Sequence, residues 1–207
     1  MYVPRFNEVT DRGILLDAMR AYSFAILIGP LDETIALAPH HATHLPLVVR
    51  DEGPHGVLEG HFAKANPHWQ ALRDREILVV FPGPHSYVSP ALYVEQISVP
   101  TWNYIAIHAH GTLQVVEQDE AKEALLFNLI AANESAYADK WRGMPDEYRR
   151  RLLSGIVGFR IPIARIQGKF KLSQNRPEAD RSAVQAAQSS GSDDERALAE
   201  WMKRLIG

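Results

Sequence analysis

The stretch GHFAKANPHW, Gly60 to Trp69, gathers His, Lys, Asn-Pro and His-Trp within ten residues, directly after a run with strand character. Asn66 suits the N-cap of a helix, and Pro67 suits the first helical position, because its missing N–H would go unused there. A residue before proline avoids the α region, as a cap must. PHWQALR then reads as a short helix. Its free backbone N–H groups, with Lys64 just upstream, make a positive spot of the kind that takes phosphate. Gly60 would let another group approach the backbone closely. The same residues also suit an ordinary capped helix with a solvated lysine. Spacing alone leaves both readings open.

Four other clusters carry polar chemistry. APHHATHLP holds His40, His41 and His44, but no HExxH pattern and no carboxylate at ligand spacing accompany them. They read as neutral histidines that donate to a ligand or to backbone, and no metal site is expected. PGPHSYVSPALY places His85, Ser86, Tyr87 and Ser89 in what reads as a loop, either a rim of donors near a planar ligand or a stiff surface turn. VPTWNYIAIHAHG puts Trp102, Asn103 and Tyr104 at a strand entrance, where aromatics stack on a flat ring or fill an interface. GKFKLSQNRPEADR joins Lys169, Lys171, Ser173, Gln174, Asn175 and Arg176, which suits phosphate or carboxylate contact or a solvated strand end. The sequence contains no GxSxG, Walker A or GxGxxG motif, so hydrolase and nucleotide-triphosphatase chemistry lack support. No residue stands out as an acid or base, and whether the protein is an enzyme stays open.

The elements that must position these residues are legible in outline. Thr10 can cap a helix whose apolar face is Ile14, Leu15, Ala18 and Met19. SFAILIG and TIALA, separated by PLDE, then HLPLVV and HGVLEGHFA around RDEGP, read as strands joined by turns. EILVVF is a further strand, with PGPHS expected to break it. NYIAIHAHGTLQVV is the longest strand candidate, with Gly111 as a bulge or bend. DEAKEALLFNLIAANES and PDEYRRRLLSGI read as helices, the second with Pro145 at its first position. FRIPIARIQGKFKL returns to strand, and Pro162 suggests an edge or a break. Short strands with hairpin turns favour an α+β, mainly β fold with an antiparallel barrel and peripheral helices. SAVQAAQSSGSDDE reads as flexible, which divides the chain into a barrel domain at 1–180, a linker at 181–194 and a C-terminal helix at 195–207. In that helix Ser192 and Glu195 match a capping box, and Leu198, Trp201, Met202 and Leu205 form an apolar stripe.

Composition narrows the classes. The net charge of −3 over 207 residues disfavours non-specific nucleic-acid binding. The absence of cysteine excludes disulfides, zinc-thiolate centres and thiol nucleophiles, and fits a reducing compartment. No run is long enough to cross a bilayer and the first residues lack a signal-peptide core, so a cytoplasmic protein with no membrane partner is expected.

Taken together, MYVPRFNE, GHFAKANPHW, GPHSYVSPALY, VPTWNYIAIHAHG and KFKLSQNRP, over roughly residues 1–180, resemble the PaiB-type proteins, also called FMN-binding negative transcriptional regulators. The resemblance implies a split β-barrel of the flavin-binding kind, a homodimer and FMN between the subunits. It assigns phosphate contact to His61, Ala63, Lys64 and Asn66. It sets Thr43, His44, Leu45 and Pro46 beside the isoalloxazine ring. It brings Trp102, Asn103 and Tyr104 near the site, from the second subunit in a dimer, with Lys171 and Gln174 as secondary contacts. The longer basic phosphate signature of related oxidases is not evident, which implies weak or absent FMN retention. The implied role is that of a transcriptional regulator or a flavin-dependent redox sensor. Alternatives are a flavin-dependent oxidoreductase, and a haem-binding protein, since related split barrels include haem-degrading members. A regulator would also have a DNA or protein partner, for which EYRRRLL is the most basic helix.

Overall fold

The computed structural model describes residues 1–30, 40–95 and 97–206, apart from the side chain of Ala138. Along the chain run β1 (Glu8–Val9), α1 (Arg12–Ala21), β2 (Phe24–Gly29), β3 (His41–Pro46), β4 (Val48–Arg50) and β5 (Val57–Ala63). Next come α2 (His68–Leu72), β6 (Glu76–Val88), β7 (Thr101–Thr112), β8 (Gln114–Val116), α3 (Asp119–Asn133), α4 (Tyr137–Arg142) and α5 (Asp146–Ser154). The chain closes with β9 (Ile156–Lys171), α6 (Glu178–Ser189) and α7 (Asp193–Ile206). The strands hydrogen-bond in the order β3-β2-β6-β7-β9-β5-β4, with β1 and β8 also on β9. The β2–β3, β4–β5 and β5–β9 ladders are antiparallel. The expected run at 34–38 and most of its PLDE turn lie outside the described residues.

The chain divides into two compact units. One comprises residues 16–81 and 108–166; the other comprises 1–15, 82–107 and 167–207. In the 16–81/108–166 unit, antiparallel β5 and β9 pair from Val57↔Pro162 to Ala63↔Ile156. Alternation sends Leu58 and Phe62 into a dry core, where Phe62 meets Phe159 at a centroid distance of 5.0 Å. Gly60 belongs to that core. A Cβ there would lie 2.7 Å from Leu47 Cδ2 and 2.8 Å from Phe159 Cζ, so the glycine serves packing and not the approach of a ligand.

In the other unit, β1 pairs with β9 through Glu8↔Lys169 and Val9↔Gly168. Helices α6 and α7 pack together there, and Trp201 sets its ring edge-on to Phe170 at 5.3 Å. The capping box forms as expected: Ser192 N–H donates to Glu195 Oε2 at 2.7 Å, and Glu195 N–H donates to Ser192 Oγ at 3.4 Å.

Several expectations need correction. The linker at 181–194 is largely α6. The stripe it buries is Asp180, Val184 and Gln188, and Asp180 Oδ1 accepts the Val94 N–H at 2.9 Å. A stripe with polar residues at two of its three positions carries no hydrophobic period to read. The α1 cap is Asp11, whose Oδ1 accepts the Ile14 N–H at 2.9 Å, and not Thr10. Pro145 sits at the N-cap of α5 rather than inside it. β6 runs through PGPHS without a break, so His85, Ser86 and Tyr87 are strand residues. Its register with β2 ends at Val80, which leaves Pro82 and Pro84 on a stretch that owes β2 no donor. β9 likewise continues through Pro162. Its neighbour Ile163 supplies the N–H to Gly56 O at 3.0 Å. At Gly111 a Cβ would meet Pro162 O at 2.3 Å, so the glycine marks a close approach of β7 to β9.

Candidate functional site

In the 16–81/108–166 unit, two of the expected flavin residues, Thr43 and Asn66, meet at His68, which the sequence did not single out. Asn66 caps α2 as expected, its Oδ1 accepting the His68 N–H at 3.0 Å. Thr43 Oγ1 lies 2.8 Å from His68 Nδ1, and Asn66 Nδ2 donates to the same oxygen at 3.4 Å. The result is a closed triangle of three side chains on β3, the cap and α2. His68 is fully buried, edge-on to His41 at 4.7 Å and to Phe62 at 6.4 Å. Burial, with His41 beside it, pushes its pKa from the ordinary 6.5 down to about 4, against the smaller opposing pull of the Gly29 backbone. Neutral imidazole therefore locks the β3–α2 contact. The signal for it was present in NPHW: a histidine at the second helical position, below a capping Asn.

The remaining residues of this group are arranged differently. His44 is exposed and stacks on Phe24 at 6.2 Å, Leu45 is half-buried and Pro46 is exposed. His61 lies on β5 opposite Gly158, and its buried Nδ1 has no hydrogen-bond partner. Burial lowers its pKa, so its ring is neutral and can still donate or accept. Ala63 and Lys64 are exposed, and the backbone at Lys64 is held on two sides. Its N–H donates to Gly155 O at 2.8 Å, and its carbonyl accepts from Trp69 Nε1 at 3.2 Å. The Lys64 ammonium has no acidic partner among the described residues.

In the other unit, strand period splits the aromatic triplet. Asn103 is fully buried, whereas Trp102 is 52% exposed and Tyr104 half-buried on the opposite face. Trp102 stands beside His85 and Tyr87, each at a centroid distance of 6.1 Å, in an open aromatic cluster. The Lys169 ammonium lies 5.2 Å from the Tyr104 ring centroid. Lys171 Nζ donates to Thr101 Oγ1 and, at 2.8 Å, to Trp102 O. Gln174 is spent on its own turn: Oε1 accepts the Leu172 N–H at 2.7 Å and Nε2 donates to Phe170 O. It braces the end of β9, and one Nε2 hydrogen and one Oε1 lone pair stay uncommitted among the described residues.

A phosphorylated flavin fits what the first group leaves available. His61 offers an orphaned buried nitrogen and Lys64 an ammonium without a counter-ion, while Thr43 and Asn66 are engaged with each other and with His68. Two groups of this kind suit a phosphate.

Residues 1–165 match the family model described as "Putative FMN-binding domain". The chain is 33% identical over 208 residues to "Protease synthase and sporulation protein PAI 2" of Bacillus subtilis, covering 98% of this chain and 97% of that one. It is also 33% identical over 182 residues to "Uncharacterized protein AN0679" of Emericella nidulans, covering 69% and 72% of the two chains. Among solved structures, it is similar to the FAD and heme binding protein from Mycobacterium smegmatis, with a TM-score of 0.62 at 16% identity over 90% of this chain and 81% of that one. It is similar to the flavocytochrome Anf3 from Azotobacter vinelandii, with a TM-score of 0.60 at 15% identity over 87% and 78%. These structural likenesses carry the fold, an antiparallel split β-barrel with peripheral helices. The chain belongs to the FMN-binding domain family that includes the PaiB-type proteins, and FMN is the cofactor of that family.

Proposed function

We propose that the protein is a homodimeric, cytoplasmic flavin-dependent redox sensor with a regulatory role, which holds the FMN phosphate at His61, Ala63 and Lys64. The family match over residues 1–165 carries the cofactor, and the orphaned His61 Nδ1, with Lys64 three residues on along the same segment, supports the seat. Thr43, His44, Leu45 and Pro46 would flank the ring, with Thr43 held in place by His68. Trp102 and Tyr104 would cover it from a second copy of the chain. Bound FMN supplies the electron chemistry, and the chain binds and orients it.

The name of the Bacillus subtilis relative, "Protease synthase and sporulation protein PAI 2", carried to this chain, supports a part in protease synthesis or sporulation. Direct DNA contact through α5 has less support. Arg149 is tied to Glu123 at 2.6 Å and to Asp146 at 2.5 Å, and Arg151 sits 5.2 Å from the Tyr148 ring centroid. Regulation through the state of the flavin, acting on a protein partner, fits this better than a phosphate-backbone contact.

Absorption spectra of the freshly purified chain, followed by FMN fluorescence-quenching titration, test the reading. Flavin bands are expected, and Lys64→Ala is expected to weaken FMN about tenfold, the worth of one charged hydrogen bond at an exposed site. Unchanged affinity in Lys64→Ala would remove Lys64 from the seat. A Soret band on adding haem, lost in His61→Ala and without any flavin binding, would replace the flavin reading with a haem one.

A further inference from the structure

Two buried donors without acceptors share one cleft in the 1–15/82–107/167–207 unit. Asn103 is 0% exposed; its Oδ1 accepts the Ser173 hydroxyl at 3.1 Å, and its Nδ2 has no partner. Tyr93 is 8% exposed, and its hydroxyl has no partner either. Both line a cleft of about 210 Å³ together with Lys171 and Arg176. No described residue that lines it is acidic, and neither cation has a carboxylate partner among the described residues. We propose that this cleft is a binding site for a small anion, a free carboxylate or phosphate, separate from the seat of the FMN phosphate.

The physical case rests on what the cleft lacks. A buried donor left without an acceptor costs about 1–3 kcal/mol, and an oxyanion that accepts from both Asn103 and Tyr93 recovers that cost twice. Lys171 commits two of its three hydrogens to Thr101 and Trp102 O, leaving one for a ligand. Burial and the nearby Lys169 both lower its pKa, a strain that a bound anion relieves. The Arg176 guanidinium lies 4.0 Å from the Tyr93 ring centroid, which fixes both groups relative to each other. Ser173 holds Asn103 from a left-handed backbone, φ 63°, a conformation that a non-glycine residue keeps only when its surroundings impose it. The volume is below the roughly 300 Å³ at which drug-sized ligand pockets begin, so it suits a small ion and not a flavin ring. Lys171, Ser173 and Arg176 also lie beyond the residues matched by the family model.

The test uses the full chain as purified, labelled with ¹⁵N and held at fixed ionic strength, titrated separately with inorganic phosphate and with acetate. A saturable shift of the Asn103 side-chain amide is expected, with the affinity read from that amide reduced about tenfold in Tyr93→Phe and in Arg176→Gln and retained in Lys64→Ala. The preferred anion identifies the class. If neither anion moves the Asn103 amide, water satisfies the two donors and the proposal fails. If FMN moves it and Arg176→Gln weakens FMN, the cleft is the flavin's own phosphate seat, which also overturns a separate site. Both outcomes differ from failure of the flavin reading, which would show as no flavin binding at all.

Discussion

Stability is expected to fall by about 3 kcal/mol between pH 6.5 and pH 4 through His68 alone, before acid protonates most carboxylates. The sign follows from burial. The pKa of His68 in the fold is about 4, below its ordinary 6.5. Above 6.5 the ring is neutral in both folded and unfolded chains, and its contribution is complete. As the pH falls from 6.5, the unfolded chain takes up a proton that the folded chain refuses until about 4, at roughly 1.4 kcal/mol per pH unit. Below 4 this contribution is exhausted and the curve flattens. His61, His108 and His110 shift in the same direction, each with burial as the first cause, so the whole-chain slope contains them too. Urea denaturation across this range, in the native chain and in His68→Asn, isolates the difference. Asn keeps a polar partner for Thr43 and cannot titrate. Parallel curves for the two proteins would mean that His68 is protonated in the fold and does not lock β3 to α2.

The second large effect is steric. Gly111→Ala is expected to destabilise the chain by about 3 kcal/mol or more, because its Cβ would meet a carbonyl oxygen of β9 and not a side-chain end that can swing away. The collisions are with Pro162 O at 2.3 Å and Ile161 Cγ2 at 2.7 Å. Gly53→Ala supplies the contrast. Gly53 has φ 65° and open space around it, so alanine there meets only the left-handed backbone penalty of about 1–2 kcal/mol. The shift in urea midpoint at constant slope reads both values. If Gly111→Ala cost no more than Gly53→Ala, the strands would not be in the close contact described.

The features that sequence revealed well were those decided locally. The Ser192–Glu195 capping box, the Asn66 cap and the acidic first turn of α3 depend on residues three or four apart. Strands β5, β7 and β9 showed through alternation or β-branched runs. What escaped depended on partners far along the chain. Whether Pro82 and Pro84 end a strand is decided by where β2 stops pairing, which nothing within PGPHS records. The helix α6 hid because the positions it buries include an aspartate and a glutamine, each bonded to a distant group: Asp180 Oδ1 accepts the Val94 N–H, and Gln188 Nε2 donates to Ser86 Oγ. The candidate site was legible as a set of residues and not as an arrangement. Trp102, Asn103 and Tyr104 look like one cluster in sequence, yet a strand sends neighbours to opposite faces. His68 was missed because a histidine among polar neighbours reads as exposed, and only the fold shows it buried against Thr43.

The unit built from residues 1–15, 82–107 and 167–207 draws on the start, middle and end of the chain, and β1 waits for Lys169 and Gly168 to find its ladder. A ribosome emits those pieces in order, and Gly168 and Lys169 follow the opening strand by about 160 residues. Nascent chains will therefore carry the opening strand unpaired until those residues emerge, and a stop codon anywhere before residue 167 leaves that unit unmade.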